Sequence, residues 1–201
     1  MNEWSKKTNT ELATRVPLII RAPWLPASAG ARTTVRAELV DVYRTLVDLA
    51  GLDASAIQAD VQGQSLAPLL AAPAAPPAPL AAKNAYSQIG SCACREYTRH
   101  NWTGLECDAG RCYETNVTKF DFMGYTMNTH DGWRFTTWVH MDNTTARVDW
   151  ARPTFEELYN QTMDVGATFD YPAYHQNLAH LFPGKVAQYK AHMQAQVLSW
   201  Y

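Results

Sequence analysis

Residues 71–82 are all Ala or Pro except Leu80, and the hydrophobic pattern before this run differs from the pattern after it. Proline fixes φ and removes a backbone donor, and alanine adds little to a core. The run therefore reads as a surface linker with some extended character. Ahead of it, Val16-Pro17-Leu18-Ile19-Ile20-Arg21-Ala22-Pro23 is a continuous apolar run bounded by prolines. That pattern predicts a strand buried on both faces, as in a sheet covered by helices. Residues 38–50 predict an amphipathic helix with Leu39, Val42, Tyr43, Leu46, Val47 and Leu49 on one apolar face, and Gly51 supplies a left-handed C-cap. Residues 63–70 predict a turn and a short helix.

Beyond the linker the period changes from helical to alternating. Strands are expected at 85–89, 124–129 and 134–141, with Asp131-Gly132 as the hairpin turn between the last two. Glu157-Leu158-Tyr159 predicts a short strand. Residues 185–200 predict a helix with Val186, Tyr189, Met193, Val197 and Trp200 on one stripe. The expected fold class is α/β passing into α+β, with a strand and helix of a larger sheet followed by a small antiparallel sheet packed on a C-terminal helix. The expected organisation is 1–70, a linker at 71–84, and a subdomain over 85–201.

The charge balance excludes some functions. Formal net charge is −2 and no long basic run exists, so a nucleic-acid partner has no electrostatic footprint. No apolar run approaches the length of a membrane span. The first seven residues contain no apolar h-region and are not a signal peptide. Other features nevertheless point to export. Asn101, Asn116, Asn143 and Asn160 each stand two positions before a Thr, as glycosylation sequons. Chance would make about one sequon from the Asn present. Cys92, Cys94, Cys107 and Cys112 fall in one stretch within 92–118, which is expected to be an irregular loop. An even, clustered set fits disulfides in an oxidising compartment, with three pairings open, whereas a zinc site would want C-x2-C pairs. Export features without an export signal predict that coding sequence precedes Met1.

Several blocks, in order, resemble the type I sulfatase family. The first is Glu3-Trp4-Ser5-Lys6-Lys7-Thr8-Asn9 running into Ala13-Thr14-Arg15-Val16-Pro17-Leu18-Ile19. Next come Glu38-Leu39-Val40-Asp41 through Leu49-Ala50-Gly51-Leu52, Gly63-Gln64-Ser65-Leu66-Ala67-Pro68-Leu69-Leu70, and Ala85-Tyr86-Ser87-Gln88. Met123-Gly124-Tyr125-Thr126 through Thr137-Trp138-Val139, then Glu157-Leu158-Tyr159-Asn160 and Asn177-Leu178-Ala179, complete the series. The Ala-Tyr-Ser-Gln and Met-Gly-Tyr blocks look most like the iduronate-2-sulfatase group. The likeness spans nearly the whole chain except the cysteine stretch and the Ala/Pro run.

The resemblance implies the C-terminal part of an alkaline-phosphatase-like sulfatase fold. It also implies a lysosomal or extracellular hydrolase of sulfate esters on glycosaminoglycan uronic acids. In that family a Cys within C-x-P-x-R becomes formylglycine, and calcium polarises the sulfate oxygens. Cys92-Ala93-Cys94-Arg95 lacks the Pro and has the wrong Arg spacing, so it is not that nucleophile. The nucleophile and the calcium ligands are expected upstream, in a catalytic part not included in this chain, so no catalytic or metal residue is assigned here. Lys6 matches the family lysine that contacts sulfate, a role suited to a compact charge with three donors. Lys7 stands where the iduronate-2-sulfatase group carries Tyr, so it either meets a uronate carboxylate or faces solvent. Trp4 either lines the pocket or packs. Two rivals remain: another type I sulfatase, acting on choline sulfate or a hexosamine sulfate, and a non-catalytic module that binds sulfated sugar or protein. His130 is placed at a hairpin tip without a role, and Glu156-Glu157 as a solvated charge pair.

Overall fold

The computed structural model describes residues 8–53, 55, 57–91, 95–99, 102–106, 120–142, 144–163 and 176–200, with only the backbone described at 95–99, 102–106 and 152–154. In chain order the helices are α1 (Glu11–Thr14), α2 (Asp41–Leu49), α3 (Ala67–Ala71), α4 (Ala78–Ala81) and α5 (Pro183–Leu198). The strands are β1 (Ala85–Ser91), β2 (Arg95–Arg99), β3 (Trp102–Glu106), β4 (Phe122–Asn128), β5 (Trp133–Asp142) and β6 (Arg147–Asn160). The result is a mixed α/β chain with an antiparallel sheet and a C-terminal helix. It divides into two units. A helical unit comprises Val16–Tyr86 and Asn128–Trp133, and a sheet unit comprises Met1–Arg15, Ser87–Met127 and Arg134–Tyr201.

In the helical unit the core is a small cluster of Leu66, Leu69 and Leu80, with Ile20 and Val35 packed against it. Leu80 corrects the reading of 71–82 as surface linker. The one large apolar side chain in the run, carried on α4, is 2 % exposed.

The expected strand at 16–22 does not form. Among the described residues the segment belongs to no sheet, and Ile19 is 90 % exposed. Among the described residues, 16–21 take part in no hydrogen bond. A strand needs a neighbour to pair its backbone groups, and no described strand pairs with this segment.

Helix α2 forms close to where it was expected, but only part of the predicted apolar face is turned inward: Val47 is buried and Val42 and Leu49 are half-buried. Leu39, Tyr43 and Leu46 are exposed, Leu39 by 71 % and Leu46 by 59 %, while Asp41, Thr45 and Val47 are buried. The reason is a polar clasp. Asp41 Oδ2 accepts from Glu38 N at 2.7 Å, and Asp41 Oδ1 accepts from Gln64 N at 2.8 Å. Thr45 Oγ1 donates to Asp41 O at 2.7 Å and accepts from Leu66 N at 2.8 Å. Lys83 Nζ lies 3.3 Å from Asp41 and also pairs with Glu38, whose other oxygen accepts from Tyr86 N at 2.8 Å. Buried polar groups with every partner supplied outweigh the attraction of the apolar stripe for this small core. The turn into the clasp needs Gly63. Its φ is +96°, and a Cβ there would come within 2.3 Å of Val40 O.

In the sheet unit the strand order is β1-β4-β5-β6. Thr129 N donates to Trp133 O at 2.8 Å, and Gly132 takes φ +83°, closing β4 onto β5 as the Asp131-Gly132 signal predicts. β6 follows β5 after four residues, too short a connection for anything but an antiparallel neighbour. Asp121 N donates to Ser91 O at 3.0 Å, which sets the end of β1 beside the start of β4. Alternate residues supply the core: Tyr125 and Met127 from β4, Phe135 and Val139 from β5, and Leu158 from β6. Helix α5 contributes Val186, Tyr189, Met193 and Val197, four of the five stripe residues expected, with Tyr189 6.1 Å from the Phe135 ring. Each such side chain contributes about 1.5–3 kcal/mol on burial.

Two expectations change here. β6 runs for 14 residues rather than three, and it contains Pro153. A proline demotes a strand on sequence grounds, but an edge strand tolerates the missing donor, and β6 is an edge. Within the stretch expected to be an irregular loop, β2 and β3 pair as an antiparallel hairpin, from Arg95↔Glu106 to Arg99↔Trp102. Tyr97, Thr98, Trp102 and Thr103 are strand-forming types that the surrounding cysteines overshadow.

Candidate functional site

The chemistry expected of this chain centres on the block containing Trp4, Lys6 and Lys7. Those three lie outside the described residues, but the block's end is placed. Asn9 is 4 % exposed and donates from Nδ2 to the carbonyl of Gly124 on β4 at 2.9 Å. Helix α1 follows at once, with Glu11 buried and Arg15 3.9 Å from its carboxylate. The Lys6 block and the Met-Gly-Tyr block, 115 positions apart, are thus joined by one buried hydrogen bond. Sequence reasoning gave Asn9 no role. Its signal was only its place in the block, because an Asn that pins a distant carbonyl has no local pattern.

Around Gly124 the sheet carries a charged and aromatic cluster. A Cβ on Gly124 would lie 2.7 Å from the Trp138 ring, so the indole rests directly against the strand. Trp138 Nε1 donates to Glu157 Oε1 at 2.9 Å. The other oxygen of Glu157 lies 3.9 Å from Arg134, a residue only 3 % exposed, whose guanidinium sits 5.3 Å from the Tyr159 ring centre. Burial, reinforced by the Glu157 charge, pushes the Tyr159 phenol up to about 12. The cluster therefore holds a paired cation and anion beside a phenol that stays protonated at neutral pH. It can orient and donate hydrogen bonds. Glu156 and Glu157 are not the solvated pair expected. Alternation sends them to opposite faces of β6, Glu157 into this cluster and Glu156 to Lys190 of α5 at 3.0 Å. The latter pair lies in an open groove with Phe155, His180, Pro183 and Val186.

The other candidates separate. His130 is exposed at the β4–β5 tip, as expected, with its backbone N on Asn84 Oδ1 at 3.0 Å. Asn160 is exposed at the end of β6. Asn101, Asn116 and Asn143, together with Cys92, Cys94, Cys107 and Cys112, lie outside the described residues. Among the described residues no group of three or more His, Cys, Asp or Glu side chains could hold a metal ion. No helix among the described residues is long and apolar enough to cross a membrane.

Comparison with known proteins adds little sequence-level kinship. No family model matches the chain, and no curated protein matches it. Among solved structures, the chain is similar to a Bacteroides thetaiotaomicron protein designated 4S-sulf, described with a core genetic locus that orchestrates metabolism of multiple glycosaminoglycans. Identity is 17 % and the TM-score 0.39, over 77 % of this chain and 25 % of that one. The chain thus spans about a quarter of that protein's length.

Proposed function

We propose that this chain is the C-terminal part of a type I sulfatase of the iduronate-2-sulfatase group, acting in the secretory pathway, in lysosomes or outside the cell. The intact enzyme would hydrolyse sulfate esters on glycosaminoglycan uronic acids. Lys6 would form a cationic wall against the sulfate, with Lys7 and Trp4 towards the sugar. Formylglycine and calcium would belong to the catalytic part upstream. The ordered sulfatase-like blocks motivate the reading, and one geometric observation carries it. The portion that the resemblance assigns to a larger catalytic domain, residues 1–70, leaves the large apolar side chains of Val16, Leu18, Ile19, Leu39, Tyr43 and Leu46 exposed. In the intact enzyme the rest of that domain would cover them.

A second reading, a self-standing module for sulfated sugar or protein, is favoured by the sheet unit's own core, where Phe135, Val139, Leu158 and Met193 are fully buried. The purified chain separates the two. The sulfatase reading expects no hydrolysis of an aryl sulfate, with or without calcium, because a lysine can bind sulfate but cannot attack it. Calcium-dependent turnover by the purified chain overturns it. Salt-sensitive binding of a sulfated disaccharide that survives Lys6→Ala would favour the module. A different sulfate ester, choline sulfate for example, remains compatible with the same chemistry, since Lys7 departs from the group's Tyr.

A further inference from the structure

We infer that Asn160 is an acceptor for an N-linked glycan, carried at the end of the sheet's edge strand. Asn160 opens the sequence Asn160-Gln161-Thr162, in which the middle residue is not proline. It is the last residue of β6, and both Asn160 and Thr162 are exposed. Thr162 donates twice to Asn160 Oδ1, from its backbone N at 3.0 Å and from its hydroxyl at 2.7 Å. Two donors on the amide oxygen fix the orientation of the amide plane. They also leave Nδ2 with no partner among the described residues. The contacts span only two residues, so this turn can form in a nascent chain before the sheet does.

The bulk of a glycan is tolerated only where the fold leaves room. Gln161 points inward at 5 % exposed, whereas Asn160, Thr162 and Met163 face out, Met163 by 89 %.

The transfer balances as follows. Nδ2 attacks the anomeric C1 of an oligosaccharide carried on a polyprenyl diphosphate. The N–C1 bond forms and the C1–O bond to diphosphate breaks. The diphosphate leaves with the electron pair, and the amide proton passes to a base on the membrane transferase.

The test is the full chain expressed behind a cleavable secretion leader in eukaryotic cells, with Asn101→Gln, Asn116→Gln and Asn143→Gln so that Asn160 is the remaining sequon. Transfer precedes folding, so whole-cell lysate serves even if these variants are retained in the cell. The expected result is a single electrophoretic shift removed by peptide-N-glycosidase, kept in Thr162→Ser, and lost in Asn160→Gln and Thr162→Ala. In parallel, the chain with all four sequons intact is deglycosylated in heavy-oxygen water and its peptides are weighed. Heavy Asp at position 160 supports the assignment. An Asn160 that stays unmodified in both experiments overturns it.

Discussion

Asp41→Ala would test most sharply whether the polar clasp, rather than the apolar stripe, orients α2. Asp41 is fully buried, and the change removes the acceptor for Glu38 N and Gln64 N. It also leaves Lys83, whose side chain is 9 % exposed, with Glu38 as its carboxylate partner. An orphaned buried donor costs about 1–3 kcal/mol, and breaking one side of a buried ion pair costs about 3–5 kcal/mol. These costs overlap, because the same carboxylate serves all three groups, so the expected loss is about 3–5 kcal/mol. That is a large share of the roughly 5–15 kcal/mol that holds a typical domain folded. Asp41→Asn keeps one oxygen for one backbone donor and should lose about half as much. The control is Leu46→Ser, which removes an exposed apolar side chain and should change stability by no more than about 0.5 kcal/mol. Urea unfolding of the full chain, followed by tryptophan fluorescence and by far-ultraviolet circular dichroism, measures all three. A loss below about 1 kcal/mol for Asp41→Ala, or a larger loss for Leu46→Ser, refutes the reasoning.

Gly63→Ala places a Cβ against the Val40 carbonyl at a left-handed φ, so the same unfolding assay should show a loss of about 2–4 kcal/mol. The wild-type stability would count against a close approach at that turn. Tyr159 supplies a pH dependence. Its folded pKa is raised, to about 12 against about 10 unfolded, so folding favours the neutral phenol. The stabilisation is complete below about pH 10 and is lost as pH rises from about 10 through about 12. Ultraviolet titration of the tyrosinates should show a late step that disappears in Tyr159→Phe, and no change between the two curves would contradict the burial of this phenol.

Legibility in the sequence followed the range of the interactions. Helix α5 and the β4–β5 hairpin were readable because each buries one regular face and the turn carries its own Asp131-Gly132 signal. The same reasoning misoriented part of α2, because its orientation is set by Gln64, Leu66 and Lys83, which are 21 to 45 positions from the clasp residues they meet. Residues 16–20 carry a strand pattern, but a strand also needs a paired neighbour, which a local pattern does not supply. Leu80 was hidden by the alanines and prolines around it, although a lone large apolar residue in such a run has only one good place to go. β6 was expected only at Glu157-Leu158-Tyr159, yet it runs for 14 residues and includes Pro153, which an edge strand tolerates. At the candidate site the Met-Gly-Tyr block was visible, and the Asn9 bond that ties it to the Lys6 block was not. Glu156 and Glu157 look alike in sequence and part on the strand, since neighbouring positions face opposite ways.

The coding DNA ahead of the Met1 codon bears most directly on the assignment to a sulfatase. Sequencing that region should reveal, in the same frame, a leader, a C-x-P-x-R nucleophile motif and an Asp-His pair shortly before Glu3. An in-frame stop immediately upstream, or a continuous reading frame with none of these features, would contradict it.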